Sequence, residues 1–156
     1  MDPSYIFSAN ARWTQGRRGI ADTEPPVEAI DFSAPPEFRG EAGSWSPEHL
    51  LLAAVASCFV ITFRGIAELS KFEFDSLDVR VDGTIEKAEG GLQFTTLLLK
   101  PNLGLLRDGD GERALRLLYK TERSCLISRS LKCATRIEPL IHVSSLERAP
   151  EQQPAA

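Results

Sequence analysis

Residues 46–70, SPEHLLLAAVASCFVITFRGIAELS, decide the fold. Ser46 offers a hydroxyl oxygen to the free amides at the start of a helix. Pro47 suits the first helical position, where its missing N–H would be unpaired anyway, and Glu48 favours the positive end of the helix dipole. These signals predict a helix from Pro47 to about Ser70. Between Leu50 and Phe63 only Ser57 and Thr62 are polar, so the apolar surface runs all round the helix instead of forming one stripe. Such a helix must be buried on every side. Its apolar run of about 14 residues is short of the ~20 needed to span a bilayer, and Arg64-Gly65 ends it. It therefore reads as a core helix, with no membrane partner. In so small a domain, a fully wrapped helix implies help from a second subunit.

Outward from this helix the signals turn to strands. Tyr5–Trp13 and Val27–Phe32 carry aromatic and β-branched runs, separated by residues 15–19 (QGRRG) and 23–26 (TEPP), which suit turns. The first turn carries two cations, Arg17 and Arg18, at a hairpin tip. Residues 35–44, rich in Pro and Gly, form a loop leading into the helix. Beyond it, Leu77, Val79, Val81, Gly83 and Ile85 alternate with polar residues, residues 89–91 turn the chain, and residues 92–99 form a second, more buried strand. Together they predict an antiparallel hairpin. From Gly111 to about Leu131, Ala114, Leu115, Leu118 and Cys125 share one face of an amphipathic helix with a break near Ser124. Ala134 to Val143 is a final strand. The order predicts an α+β fold of antiparallel pairs with helices between them, one domain over residues 1–143 and a flexible polar tail over residues 144–156.

Eighteen Lys and Arg against twenty-two Asp and Glu leave a net charge of -4, so no basic field exists to hold a phosphate backbone and nucleic acid is not an expected partner. The three cysteines, Cys58, Cys125 and Cys133, are too few and too widely spaced for a disulfide framework. The N-terminal residues have neither the basic nor the apolar segment of a secretory signal. A reducing, cytoplasmic location is expected, where a disulfide is more often chemistry than architecture.

The remaining chemistry is quickly narrowed. His49, His142 and the cysteines lack metal-ligand spacing, and no nucleophile elbow or phosphate loop is present, so no metal or cofactor is expected. Cys125-Leu-Ile-Ser128 has the outline of a single-thiol CxxS motif, but it comes too late in the chain for a thioredoxin fold. Each buried cysteine can be a small core hydrophobe. A buried thiol becomes a nucleophile only when something positive holds the thiolate. Arginine does this well, because it keeps its charge and binds a carboxylate in a fork; Arg17 and Arg18 offer the cation, and Glu48 could orient it.

The ordered set of Ser46-Pro47-Glu48, Cys58 ten residues after the Glu, and Cys125-Leu-Ile-Ser128 resembles the OsmC/Ohr family of thiol peroxidases over about Tyr5–Val143. The resemblance implies an OsmC-like fold and an intertwined homodimer. It also implies that organic hydroperoxides are reduced to alcohols by Cys58 as the peroxidatic residue and Cys125 as the resolving one. Arg17 would stabilise the Cys58 thiolate with Glu48 as its partner, and an external dithiol or lipoyl-type protein would be the reductant. Leu126 stands where the family has Pro, and Gln15 where the hydroperoxide-resistance branch tends to have Gly. A noncatalytic ligand-binding dimer of the same fold and a thiol redox sensor are the alternatives.

One inference is geometric. Ten helical residues separate Glu48 from Cys58 by roughly 15 Å along the axis and about 80° around it. A Glu48 that serves a Cys58 thiol must therefore come from another subunit, giving two composite sites per homodimer.

Overall fold

The computed structural model describes residues 4–23 and 26–144. The chain divides into two compact units, residues 1–53 and 54–156. The expected tail lies, from residue 145 onward, outside the described residues.

The first unit holds a three-stranded antiparallel sheet in the order β1 (Ala9–Gln15), β2 (Arg18–Thr23), β3 (Ile30–Ser33). Gln15 pairs with Arg18 across a turn of Gly16 and Arg17, with Gly16 in the left-handed region at φ 52°, where glycine has no Cβ penalty. The Trp13 indole N–H donates to the Gly16 carbonyl at 2.9 Å and fastens the turn. Arg18 is the first residue of β2 and not part of the tip. Strand β2 had no clear sequence signal, because Gly19-Ile20-Ala21-Asp22 does not alternate. Gly19 is buried opposite Phe32, whose ring occupies the space a Cβ would need. The loop before the long helix contains one turn of 3-10 helix at Pro36–Phe38.

Helix α1 spans Pro47–Leu69, as expected. Ser46 caps it: its hydroxyl accepts the His49 N–H at 3.2 Å and bonds the His49 Nδ1 at 2.8 Å. The full burial expected of α1 is not met within one chain. Val55, Phe59, Phe63, Ile66 and Ala67 are buried, a face at helical spacing, while Ile61 is 72% and Leu69 89% exposed. By length and composition alone α1, at 23 residues, could also cross a membrane.

In the second unit, β4 (Ser76–Ala88) and β5 (Gly91–Leu105) form the expected antiparallel hairpin. It is longer than its alternation suggested. Gly90 and Gly91, at φ 95° and 123°, make the tight return. Leu97, Leu99, Pro101, Leu103 and Leu105 are all buried, and Gly83, Val81, Val79 and Leu77 stand opposite the first four of them, so one face of the hairpin is core. Phe63 of α1 meets Phe72 and Phe74 edge to face, with centroids 6.4 Å and 5.2 Å away.

After β5 come α2 (Gly111–Ser124) and α3 (Leu126–Arg129), then β6 (Ala134–Ile137) and β7 (Leu140–Val143). The expected last strand is thus two strands, interrupted at Glu138-Pro139. A proline nitrogen has no proton for a ladder. Both strands run parallel to β5, so the sheet is not made of antiparallel pairs alone. A helical crossover from one strand of a sheet brings the chain back in the same direction. The buried face of α2 is Ala114, Leu117, Leu118 and Thr121, whereas Leu115, expected on it, is 39% exposed. The α+β fold class holds.

Candidate active site

Cys58 sits midway along α1, and Cys125 is the single residue between α2 and α3. The break expected near Ser124 thus falls on the cysteine. Cys125 continues the buried face of α2, four residues after Thr121. Its N–H still bonds the Thr121 carbonyl at 2.8 Å and its own carbonyl accepts the Arg129 N–H at 3.1 Å. Between these bonds its backbone is extended, at φ -63° and ψ 114°. Cys125 is fully buried and Cys58 half-buried. Both are free thiols, and each shifts the acidity of the other.

An open, mostly apolar depression of about 370 Å³ adjoins Cys58, lined by Ala54, Ser57, Ile61 and Thr62 of α1 and by Ile127 of α3. One turn along α1, the Thr62 hydroxyl lies 3.8 Å from the Cys58 sulfur.

The two thiols are driven apart in acidity. Burial pushes Cys58 upward, but hydrogen bonds from the Ile127 backbone, the Cys125 thiol, the Thr62 hydroxyl and the Leu126 backbone outweigh it and hold Cys58 below the ordinary thiol value. At Cys125 burial prevails over the hydroxyl and N–H of Ser128, and the neighbouring Cys58 sulfur adds to it, so this thiol is pushed up. Cys58 is therefore the more acidic sulfur of the pair. Since the pair interacts, the two ionise as a unit.

Arg17 and Glu48 belong to the first unit and form no ion pair with each other. Arg17 donates to the Phe38 carbonyl at 3.1 Å, while Arg18 is paired with Glu41 at 3.1 Å. Of these two arginines, Arg17 is the one with no carboxylate partner among the described residues. The Glu48 Oε2 is buried without a hydrogen-bond partner. Cys133 is half-buried, just before β6. No group of three or more metal-ligating side chains occurs among the described residues.

The sequence reading missed three contributors to the thiol site: the Thr62 hydroxyl and the amides of Leu126 and Ile127. Thr62 was detectable, being one helical turn from Cys58. The amides were not, because their direction depends on the extended backbone at Cys125.

The site is thus built on two free thiols, one on the long helix of an α+β fold and one at a helix break. The chain belongs to the OsmC-like protein family, whose model matches residues 40–139. Peroxiredoxin OsmC of Escherichia coli is 26% identical over 124 residues, 78% of this chain and 84% of that protein. The uncharacterized protein YmaD of Bacillus subtilis is 28% identical over 131 residues, 82% of this chain and 87% of that one. Among solved structures, an OsmC-like protein of unknown function from Vibrio cholerae has a TM-score of 0.79 at 18% identity, covering 88% of this chain and 100% of the other.

Proposed function

We propose that the protein is a thiol peroxidase that reduces organic hydroperoxides to alcohols. The observation that carries this reading is a thiol of lowered pKa, Cys58, opening onto an apolar depression, with a second, less acidic thiol, Cys125, acting on it. The Cys58 thiolate attacks the terminal oxygen of the hydroperoxide and the O–O bond breaks. Sulfur is oxidised to sulfenic acid, and the leaving alkoxide takes a proton to become the alcohol. The Cys125 sulfur then displaces hydroxide from the sulfenic acid, its proton leaves with that oxygen as water, and a Cys58–Cys125 disulfide forms. An external dithiol, free or lipoyl-bound, reduces the disulfide to two thiols and is itself oxidised to a disulfide. Apolar walls at Ala54, Ile61 and Ile127 favour an organic group over hydrogen peroxide.

In this reading the functional unit is a homodimer. The uncovered side of α1, with Ile61 and Leu69 exposed, is the surface a second copy covers. Arg17 and Glu48 of one copy serve Cys58 of the other, and the unpartnered Glu48 oxygen receives a donor there.

The test is substoichiometric cumene hydroperoxide followed by mass spectrometry of the wild type, Cys58→Ser and Cys125→Ser. A Cys58–Cys125 disulfide is expected in the wild type, and sulfinic or sulfonic Cys58 in Cys125→Ser. Cys133 stays reduced in all three. An unmodified Cys58 would overturn the peroxidase reading in favour of a binding role.

A further inference from the structure

We propose that Thr62 is a catalytic residue, whose hydroxyl donates a hydrogen bond to the alkyl-side oxygen of the hydroperoxide as the O–O bond breaks. Three observations carry this. First, Ser57 and Thr62 supply the two hydroxyls that line the depression beside Cys58, and only one of them is free for substrate. Helical Ser and Thr commonly spend the hydroxyl on a carbonyl three or four residues earlier. Ser57 does so on Ala54 at 3.2 Å, as do Thr121 on Leu117 at 2.8 Å and Ser128 on Cys125 at 3.3 Å. Second, Thr62 makes no such bond among the described residues; its hydroxyl partner is the Cys58 sulfur, 3.8 Å away. Third, the reach is right. An oxygen poised for attack stands about 3–3.5 Å from the sulfur, and a hydrogen bond spans about 2.6–3.2 Å. A hydroxyl 3.8 Å from that sulfur therefore reaches the peroxide without leaving its place.

The charge moves past this hydroxyl during the reaction. Before attack the Cys58 thiolate has no proton of its own and accepts the Thr62 hydrogen. In attack the sulfur gives its electron pair to the terminal oxygen, the O–O bond breaks, and negative charge passes to the alkyl oxygen. Sulfur is a weaker acceptor than an alkoxide oxygen, so the donor turns from one to the other. An interaction that strengthens toward the transition state is the kind that accelerates the chemical step. Thr62 keeps its proton throughout. The hydroperoxide's own hydrogen stays on the sulfenic acid, and water protonates the alkoxide to the alcohol, leaving hydroxide. This role rests on the peroxidase reading.

The experiment compares two reactions of Cys58 at one pH, in wild type and Thr62→Val: oxidation by cumene hydroperoxide and alkylation by iodoacetamide, both followed by peptide mass spectrometry. Alkylation follows the thiolate fraction, and its leaving iodide is a poor hydrogen-bond acceptor. The ratio of oxidation rate to alkylation rate should therefore fall about ten-fold in Thr62→Val, the scale of one hydrogen bond to a charged group. Thr62→Ala should give the same fall, so the test does not depend on one variant folding. An unchanged ratio overturns the proposal and leaves the peroxidase reading standing, because Thr62 would then act on the thiolate alone. A wild type that the hydroperoxide leaves unoxidised overturns the peroxidase reading and this role with it.

Discussion

The Cys58 and Cys125 thiols act on each other in opposite senses: Cys125 lowers the pKa of Cys58, while Cys58, added to burial, raises that of Cys125. This opposition assigns different roles to two chemically identical side chains. The first prediction follows directly: at about pH 7, thiolate-specific alkylation of the reduced protein modifies Cys58 well before Cys125. Peptide mass spectrometry over time reads the order, and Cys125 reacting first would contradict the role assignment.

The same contrast has a pH signature in stability. The folded value of Cys58 lies below the ordinary 9.0, so its contribution is complete above 9.0 and lost as pH falls through the folded value. The folded value of Cys125 lies above 9.0, so its contribution is complete below 9.0 and lost as pH rises through the folded value. Relative to a Cys58→Ser variant, which keeps the Cys125 contribution, urea midpoints of the reduced wild type should therefore rise with pH toward about 9. A constant difference between the two proteins would refute the assignment.

Thr62→Val removes a hydroxyl donor from Cys58 while keeping side-chain shape. Alkylation of Cys58 at neutral pH should slow about three-fold, the scale of one modest hydrogen bond. The melting temperature should change little, and an unaltered alkylation rate would show that the 3.8 Å contact carries no weight.

Phe63 is fully buried and meets two other rings. Phe63→Ala should lower stability by about 3–5 kcal/mol, read as a fall in urea midpoint. A loss under about 1 kcal/mol would mean that the site collapses around the cavity.

Ser46→Ala removes the acceptor for the His49 amide at the start of α1. A loss of about 1 kcal/mol is expected, with Ser46→Asp recovering most of it. Calorimetry on the three proteins checks both statements.

Local chemistry made much of the fold legible. Ser46-Pro47-Glu48 marked the start of α1 because capping acts within one turn, and the alternation from Leu77 to Glu86 marked β4 because one face is core. What failed depends on distant partners. Gly19 gives β2 no period, since its role is to leave room for Phe32. Nothing in Ala134–Val143 encodes direction, so its parallel pairing with β5 could not be read. Leu115 has the right residue type for the buried face of α2 but not the right angle. At the site, the pairing of Cys58 with Cys125 came from family resemblance, because no spacing rule connects two residues on different helices.

The position of Cys125 has a further consequence. Its N–H is tied back to Thr121 and its carbonyl forward to Arg129, so it is an anchored point and not a loose loop. A Cys58–Cys125 bond would close a loop of about 70 residues and withdraw on the order of 4 kcal/mol of chain entropy from the unfolded state, offset by any strain in the closed form. Each oxidation would then make the protein harder to unfold and each reduction easier, so that the supply of reductant would govern its susceptibility to proteolysis as well as its readiness for the next peroxide.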